Sequence, residues 1–337
     1  MRVLHLPVGR QMIEICQALR RIGVAATSCH FRQRTIPQRP DLCLHHERLT
    51  PKQRLYARER FLAHAAQTYD VFHFHFGQTF REDYSDLAYL KQLGKKIVVQ
   101  HRGSDVRMLS VARAKDNQMV RVKGGQRRSE EEIQKKLTIL SSHIDHAIVA
   151  DHELLSYIQP YYKHIHLLRQ SITLAKFRPA YPSPVKKRPL ILHAPTNTYL
   201  KGTEHVLQAI DRLRARGLDF DFELVEKLTH EEAIARYRTA DILIDQLLQG
   251  SFGVFSLEGM ALGKPVVCYI SDVFRPTYPP GLPLISATPD TIYSTLKRLI
   301  RHPEQRHQLG KSGRVYIERY YDADARAREL KSIYEQL

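Results

Sequence analysis

The sequence predicts an α/β protein made of two doubly wound domains. Three observations carry that expectation. Apolar runs of strand length alternate with helical segments, which argues for parallel sheets. A stretch with four prolines and a run of basic residues, FRPAYPSPVKKRP (Phe177–Pro189), cannot be a helix interior and reads as a linker. Beyond it the grammar restarts: VLHLPVG opens the first half and LILHAPTN the second, each an apolar strand carrying His and Pro before a loop. A chain of 337 residues suits two domains of ordinary size.

In chain order, Val3–Leu6 reads as a strand, Gly9 as a loop, and a helix runs from about Met12 to Ile22 with Gly23 as its C-cap. A strand follows over Ala25–Phe31. YDVFHFHFG is a strand ending in Gly77, and Ile97–Gln100 is another, ending in the polar tip His101–Asp105. The stretch Val106–Lys136 reads as a mobile loop, then a helix with Ser129 as N-cap and Glu132 three residues on. HAIVADHELLSYI is a strand and a helix starting near Asp151. In the second half come PLILHAPTN, a helix over Thr203–Arg216, strand FDFELV, helix HEEAIARYRTA and strand DILIDQ. QGSFGVFSLEGMALGKPVV (Gln249–Val267) reads as loop, helix, turn and buried strand. RVYIERYYDADARARELKSIYEQL is a long amphipathic helix with a break near Asp322–Asp324. In such sheets function belongs at the carboxyl ends of the strands.

No apolar run reaches the ~20 residues of a membrane span, and MRVLHLPVG is too short for a signal peptide. Cys16, Cys29, Cys43 and Cys268 have no CxxC spacing, so a cytoplasmic chain without disulfides or a zinc site is expected. The formal charge is +17, and +14 of it lies through Val185. A basic first half suits nucleic acid, an anionic membrane surface or an acidic substrate, or simply aids solubility. No helix-turn-helix, zinc finger or RNA motif stands out, so nucleic acid is not the expected partner.

The chemistry concentrates in two loops of the second half. Lys201 and Gly202 stand at a helix start, where a lysine and free N–H groups suit a phosphate. The plainer reading is a solvated lysine beside a turn glycine. Gly250–Val254 forms a second such loop, and Glu258 follows it in the first turns of a helix. A carboxylate there can hold two vicinal hydroxyls, as in a ribose, or can simply face the helix dipole. His73 and His75 share one strand face; we read them as packed strand residues rather than metal ligands.

GSFGVFSLEGMALGKPVV resembles the nucleotide-sugar signature of retaining glycosyltransferases of the GT-B fold, the group 1 (family four) set. KGTEHVLQAIDRL resembles that family's lysine–glycine loop and helix, and YRTADILIDQ the strand before the signature. DVFHFHFG, VVQHRGSD, IHLLRQSITLAKFRP and the closing helix are looser echoes. The resemblance implies two Rossmann-like domains facing across a cleft: 1–180 for the acceptor, 181–317 for the donor, and 318–337 crossing back to the first. It implies transfer of a sugar from a nucleotide-sugar, of UDP or GDP type, to a glycan or lipid-linked hydroxyl acceptor in envelope or exopolysaccharide synthesis, at the cytoplasmic face of a membrane, with no cofactor and no metal. By the same resemblance Lys201 neutralises the donor diphosphate, Glu258 holds the ribose, and Phe252, Gly253 and Val254 turn their backbone to sugar and phosphates, with Ser251 beside them. Gly9 lies near the diphosphate and His101 beside the transferred sugar. The alternative for His101 is a strand-end histidine satisfied by backbone.

Two positions depart from the pattern. The first acid of the family's E-x7-E motif falls on Gly250. The arginine expected before the lysine falls on Thr196, or on Asn197 or Thr198 if the loop differs in length. Gln249, Asp245 or an arginine of the first half are the candidates to compensate, and tyrosines and arginines near YYKHIH and RQRTIPQRP are the candidates to meet the acceptor. These departures leave a second expectation open: a weakened pseudoenzyme that binds a partner or a glycan.

Overall fold

The computed structural model describes residues 1–33, 39–114 and 129–337. The chain divides into two compact units. Unit 1 takes Met1–Met108, Gln126–Thr173 and Ala323–Leu337; unit 2 takes Leu109–Gly125 and Leu174–Asp322. The boundaries thus fall at Thr173 and Asp322, where the sequence suggested 180 and 317.

Unit 1 runs β1 (Arg2–Leu6), α1 (Arg10–Arg21), β2 (Ala25–His30), β3 (Leu42–Cys43), α2 (Pro51–Thr68), β4 (Val71–His75), α3 (Ser85–Gln92) and β5 (Lys96–Gln100). After α4 (Leu109–Ala114), which belongs to unit 2, come α5 (Glu130–His143), β6 (His146–Val149), α6 (His152–Ile158) and β7 (His164–Leu167). All seven strands are parallel, in the order β3-β2-β1-β4-β5-β6-β7. The strand order reverses between β1 and β4, so their carboxyl ends flank the crevice where ligands of such sheets bind. Gly23, at φ +84°, ends α1 as expected. Ser129 and Glu132 form a reciprocal capping box that starts α5. The expected mobile loop before it falls mostly on 115–128, outside the described residues.

Unit 2 runs β8 (Leu190–His193), α7 (Thr198–Lys201), α8 (Thr203–Ala215), β9 (Asp221–Leu224), α9 (His230–Thr239), β10 (Ile242–Ile244), α10 (Val254–Ala261), β11 (Val266–Val267), α11 (Ile292–Arg301) and α12 (Pro303–Tyr320). Its four parallel strands lie in the order β11-β10-β8-β9, so the reversal falls between β8 and β10. The fold class is therefore the expected one: α/β, with two doubly wound parallel sheets. The linker is not a free tether. Phe177 is buried, the Ala180 N–H donates to the Leu262 carbonyl at 2.8 Å, and the Tyr181 ring occupies the space where Gly263 lacks a side chain.

The terminal helix breaks at Tyr321–Asp322, and α13 (Ala323–Glu335) packs in unit 1. Ala327, Leu330, Ile333 and Tyr334 join Ile15 and Leu19 of α1 in one apolar cluster. The Tyr334 hydroxyl sits 2.7 Å from His73 Nδ1 and 2.9 Å from His5 Nε2, so a polar contact fixes the register of the returning helix.

Buried imidazoles make the fold sensitive to acid. Burial lowers His5 to about 3 and His193 to about 4, and pushes His73 and His75 well below the ordinary histidine value. The folded chain then binds fewer protons than the unfolded one. Stability is full above the unfolded histidine value of about 6.5 and is lost as pH falls through it, at up to about 1.4 kcal/mol per pH unit for each such group. Asp151 opposes this: burial raises it to about 6, so it loses stability as pH rises from about 4 to 6. Burial raises Asp86 as well, but four histidines outweigh two carboxyls, and thermal melts are expected to shift downward between about pH 7 and pH 5. A flat profile there would contradict the burial of these rings.

Candidate functional site

The residues singled out in the second half converge at the carboxyl ends of β8 and β10, where the strand order of unit 2 reverses. His193, at the end of β8, donates from Nδ1 to the Ile244 carbonyl at 2.8 Å and accepts at Nε2 from the Thr203 hydroxyl at 2.9 Å. Its depressed pKa keeps it neutral, as those two roles require. The loop after β8 turns through Asn197, which caps α7 by accepting from the Leu200 N–H at 3.0 Å. Gly202, at φ +70°, then lets the chain turn into α8.

Lys201 lies at the end of the single turn of α7 rather than at the start of α8. Its ammonium is hydrogen-bonded to Asp245 Oδ1 and, at 2.9 Å, to Gln246 Oε1. Asp245 is fully buried, and its second oxygen accepts from Ser256 at 2.6 Å. Asp245 is thus committed to holding Lys201 and is no substitute acceptor for a sugar. Two of the three ammonium N–H donors are used, and the side chain keeps 16% of its surface exposed. The Gln246 amide in turn donates to the Ser251 carbonyl, tying the β10 loop to the glycine loop.

In that loop Gly250 holds φ +70°, and its carbonyl accepts from the Ser271 N–H at 2.9 Å. A Cβ there would stand 3.1 Å from Ser271 Cβ. The departure from the two-acid motif is therefore built into the backbone. A left-handed conformation costs a side-chain-bearing residue about 1–2 kcal/mol, so Gly250→Ala and Gly250→Glu are both expected to melt a few degrees lower. An unchanged melt for Gly250→Ala would show that the loop does not need its glycine. Ser251 and Phe252 are buried, Phe252 against the Tyr278 and Tyr321 rings at 5.0 and 5.8 Å. Gly253 is the N-cap of α10; among the described residues no side chain caps this end and nothing stands within 4 Å of the position of its missing Cβ. With Val254 half-buried beside it, this leaves open N–H donors at a helix N-terminus. Glu258, one turn further on, is 6% exposed and pairs with His230 Nε2 at 2.8 Å.

Beside these groups lies an open groove of about 600 Å³, lined by residues 194–199, by 225–228 after β9, and by Ala233 and Tyr237 of α9. Thr196 and Asn197 are in its wall. Lys227 holds φ +57°, a conformation uncommon outside glycine. The sequence reading missed the 225–228 loop and His230. Their only signal is position: both follow FDFELV at its carboxyl end.

In unit 1, His101 is fully buried and both ring nitrogens are engaged, Nδ1 with Asp105 at 2.7 Å and Nε2 with the Tyr162 hydroxyl at 2.9 Å. Burial alone would raise Asp105, but the His101 contact and the Arg102 N–H, together with Lys136, hold it below the usual carboxylate range. This is the plainer of the two readings of His101, with side chains rather than backbone as its partners. The Gly9 N–H donates to His30 Nε2 at 3.1 Å at the start of α1. His5, His73 and His75 place ring nitrogens within 4.8 Å of one another. Those rings are bonded among themselves, to Tyr334 and, through His75 Nδ1, to the Arg102 guanidinium at 3.2 Å. A cation against His75 and an already used lone pair favour the neutral network over a bound metal.

No protein-family model matches the chain, and no curated protein matches its sequence. Solved structures do match it. Sucrose-phosphate synthase from Thermosynechococcus elongatus aligns over 100% of this chain and 99% of its own at 15% identity, with a TM-score of 0.67. Anabaena HepE in complex with UDP-glucose aligns over 100% of both chains at 11% identity and 0.66. The lipopolysaccharide outer core galactosyltransferase WaaB aligns over 100% of both at 12% and 0.57. These are glycosyltransferases of the GT-B fold, and at such identities the likeness shows the fold.

Proposed function

We propose that the protein is a retaining glycosyltransferase that moves a sugar from a nucleotide-sugar to a hydroxyl acceptor. The observation that carries this is the convergence in unit 2: the uncapped N-terminus of α10, Lys201 and Glu258 gather at a sheet switch point, next to a groove whose α9 wall meets α10 through the Tyr237–Phe255 rings and the His230–Glu258 pair. The groove takes the base and ribose, with the exposed Tyr199 ring and Tyr237 as apolar walls. Glu258 accepts from the ribose hydroxyls. The N–H groups of Gly253 and Val254 and the remaining N–H of Lys201 face the diphosphate.

The reaction breaks the bond between the anomeric carbon and the diphosphate oxygen. The electron pair leaves with the diphosphate, and donors already aimed at it stabilise the growing charge without reorganising. The acceptor hydroxyl attacks the same face, and its proton passes to a diphosphate oxygen. No side chain need act as a nucleophile. His101 then serves the site by shaping the turn after β5, since neither ring nitrogen is open to a sugar. HepE, solved in complex with UDP-glucose, and WaaB, a lipopolysaccharide outer core galactosyltransferase, support a UDP-type donor and an envelope acceptor. The basic surplus of the first half suits an anionic membrane surface, and no helix among the described residues is long and apolar enough to cross a membrane.

Calorimetry against UDP, GDP and ADP tests the reading. Micromolar binding of one of them, with turnover of its sugar conjugate, is expected. Binding without turnover favours the pseudoenzyme. Binding to none of the three, with no sugar-nucleotide hydrolysed, sinks the transferase.

A further inference from the structure

Unit 1 carries a second cavity, of about 510 Å³, at its own switch point. The turn after β1, the end of β2, the start of α2 and the loop after β4 enclose it, and Arg32, His46, Arg54, Arg58 and Arg81 reach its wall. The charges there are unevenly spent. Arg81 is held by Glu59 through two contacts of 2.5 and 2.8 Å. Arg58 reaches Glu82 only at 3.5 Å, and Glu82 is 90% exposed. Arg54 donates to the His46 carbonyl at 2.7 Å, and neither Arg54 nor Arg32 has a carboxylate partner among the described residues.

Two buried polar atoms here have no partner among the described residues: His46 Nε2, on a ring only 4% exposed, and Arg58 Nε. Buried polar groups are ordinarily satisfied, so an orphaned pair on one cavity wall points to a missing ligand. Burial and then Arg58, Arg32 and Arg54 hold His46 down to about 4, while Glu47 pulls the other way. The field that disfavours a proton on His46 is the field that attracts an anion.

We infer that this cavity binds the anionic group of the acceptor, a phosphate monoester or carboxylate on a hydroxylated molecule, through Arg32, Arg54, Arg58 and His46 Nε2. Only the word acceptor rests on the transferase reading; the anion site stands on the geometry of unit 1. A bound oxyanion takes bidentate bonds from the guanidinium groups and accepts from His46, which gains a proton as the surrounding positive field is offset. The exposed Gln78 amide in the same wall supplies a donor and an acceptor for a neighbouring hydroxyl.

The test is calorimetry on the full chain with inorganic phosphate, glucose 6-phosphate, glucuronate and glucose, with the His46 ring followed by NMR. Either anionic sugar is expected to bind at least about tenfold more tightly than glucose, a difference of about 1.4 kcal/mol. Which of the two is tighter tells phosphate from carboxylate. The His46 titration should move up on binding. Arg54→Gln and the exposed Arg32→Gln should each weaken anion binding about tenfold and leave UDP binding unchanged. Among the described residues Arg32 makes no hydrogen bond or ion pair that would confuse the result. Equal affinity for glucose and the anions, or anion binding untouched by both variants, overturns the inference. So does competition between phosphate and UDP, which would place the anion in the donor site. UDP binding without anion binding leaves the donor reading intact, and anion binding without nucleotide binding leaves this site intact.

Discussion

Lys201→Ala is expected to lower turnover by roughly 10²–10³ and, separately, to cost roughly 3–5 kcal/mol of stability. The second effect comes from Asp245. Its carboxylate is fully buried, with one oxygen on Lys201 and the other on Ser256. Removing the ammonium leaves a buried charge with only the Ser256 hydroxyl and the weak Cys268 thiol donor beside it. A loss of activity in this variant alone would therefore mix two causes. Lys201→Met combined with Asp245→Asn separates them, because replacing both members of a buried pair is often neutral or stabilising. The double variant should melt near the wild type and still turn over 10²–10³ more slowly, since the cation facing the leaving diphosphate is gone. Turnover within about threefold of wild type would remove Lys201 from the site. A wild-type melting curve for Lys201→Ala would show that the pair is not buried as described.

The same pair shows where the sequence was legible. The two loops could be read because each is local: a strand end, a glycine, a helix start. The bond from Lys201 to Asp245 spans 44 residues and depends on β10 lying beside β8, which no pattern along the chain encodes. His101 shows the same limit, since Tyr162, its Nε2 partner, stands 61 residues away. Helix α2 was missed for another reason. Only Leu62, Ala65 and Ala66 of its 18 residues are buried, so its apolar stripe is faint. Yet TPKQ at its start is a capping box with proline at the first position, a signal that was there to be used. Missing α2 hid Arg54 and Arg58, and with them the cavity of unit 1. RQRTIPQRP was named as an acceptor candidate, and Arg32 does reach that cavity, while 34–38 lie outside the described residues. YYKHIH leads into β7; its Tyr162 is spent on His101.

Glu258→Gln is expected to weaken nucleotide binding by roughly tenfold to a hundredfold, the value of one charge-assisted hydrogen bond at about 1.5–3 kcal/mol. The competing role, a carboxylate favouring its helix N-terminus, is worth only about 0.3–1 kcal/mol and acts on stability rather than on a ligand. The pairing with His230 at 2.8 Å complicates a simple affinity measurement, because the variant also alters that contact. A comparison of two ligands removes the complication. Wild type should prefer UDP over 2′-deoxy-UDP by most of that factor, and Glu258→Gln should bind the two within about threefold of each other. Each protein is its own control, so any rearrangement of His230 or α9 cancels from the ratio. If the wild type binds both nucleotides equally, Glu258 has no diol to hold, and its role is structural, through contacts that include His230.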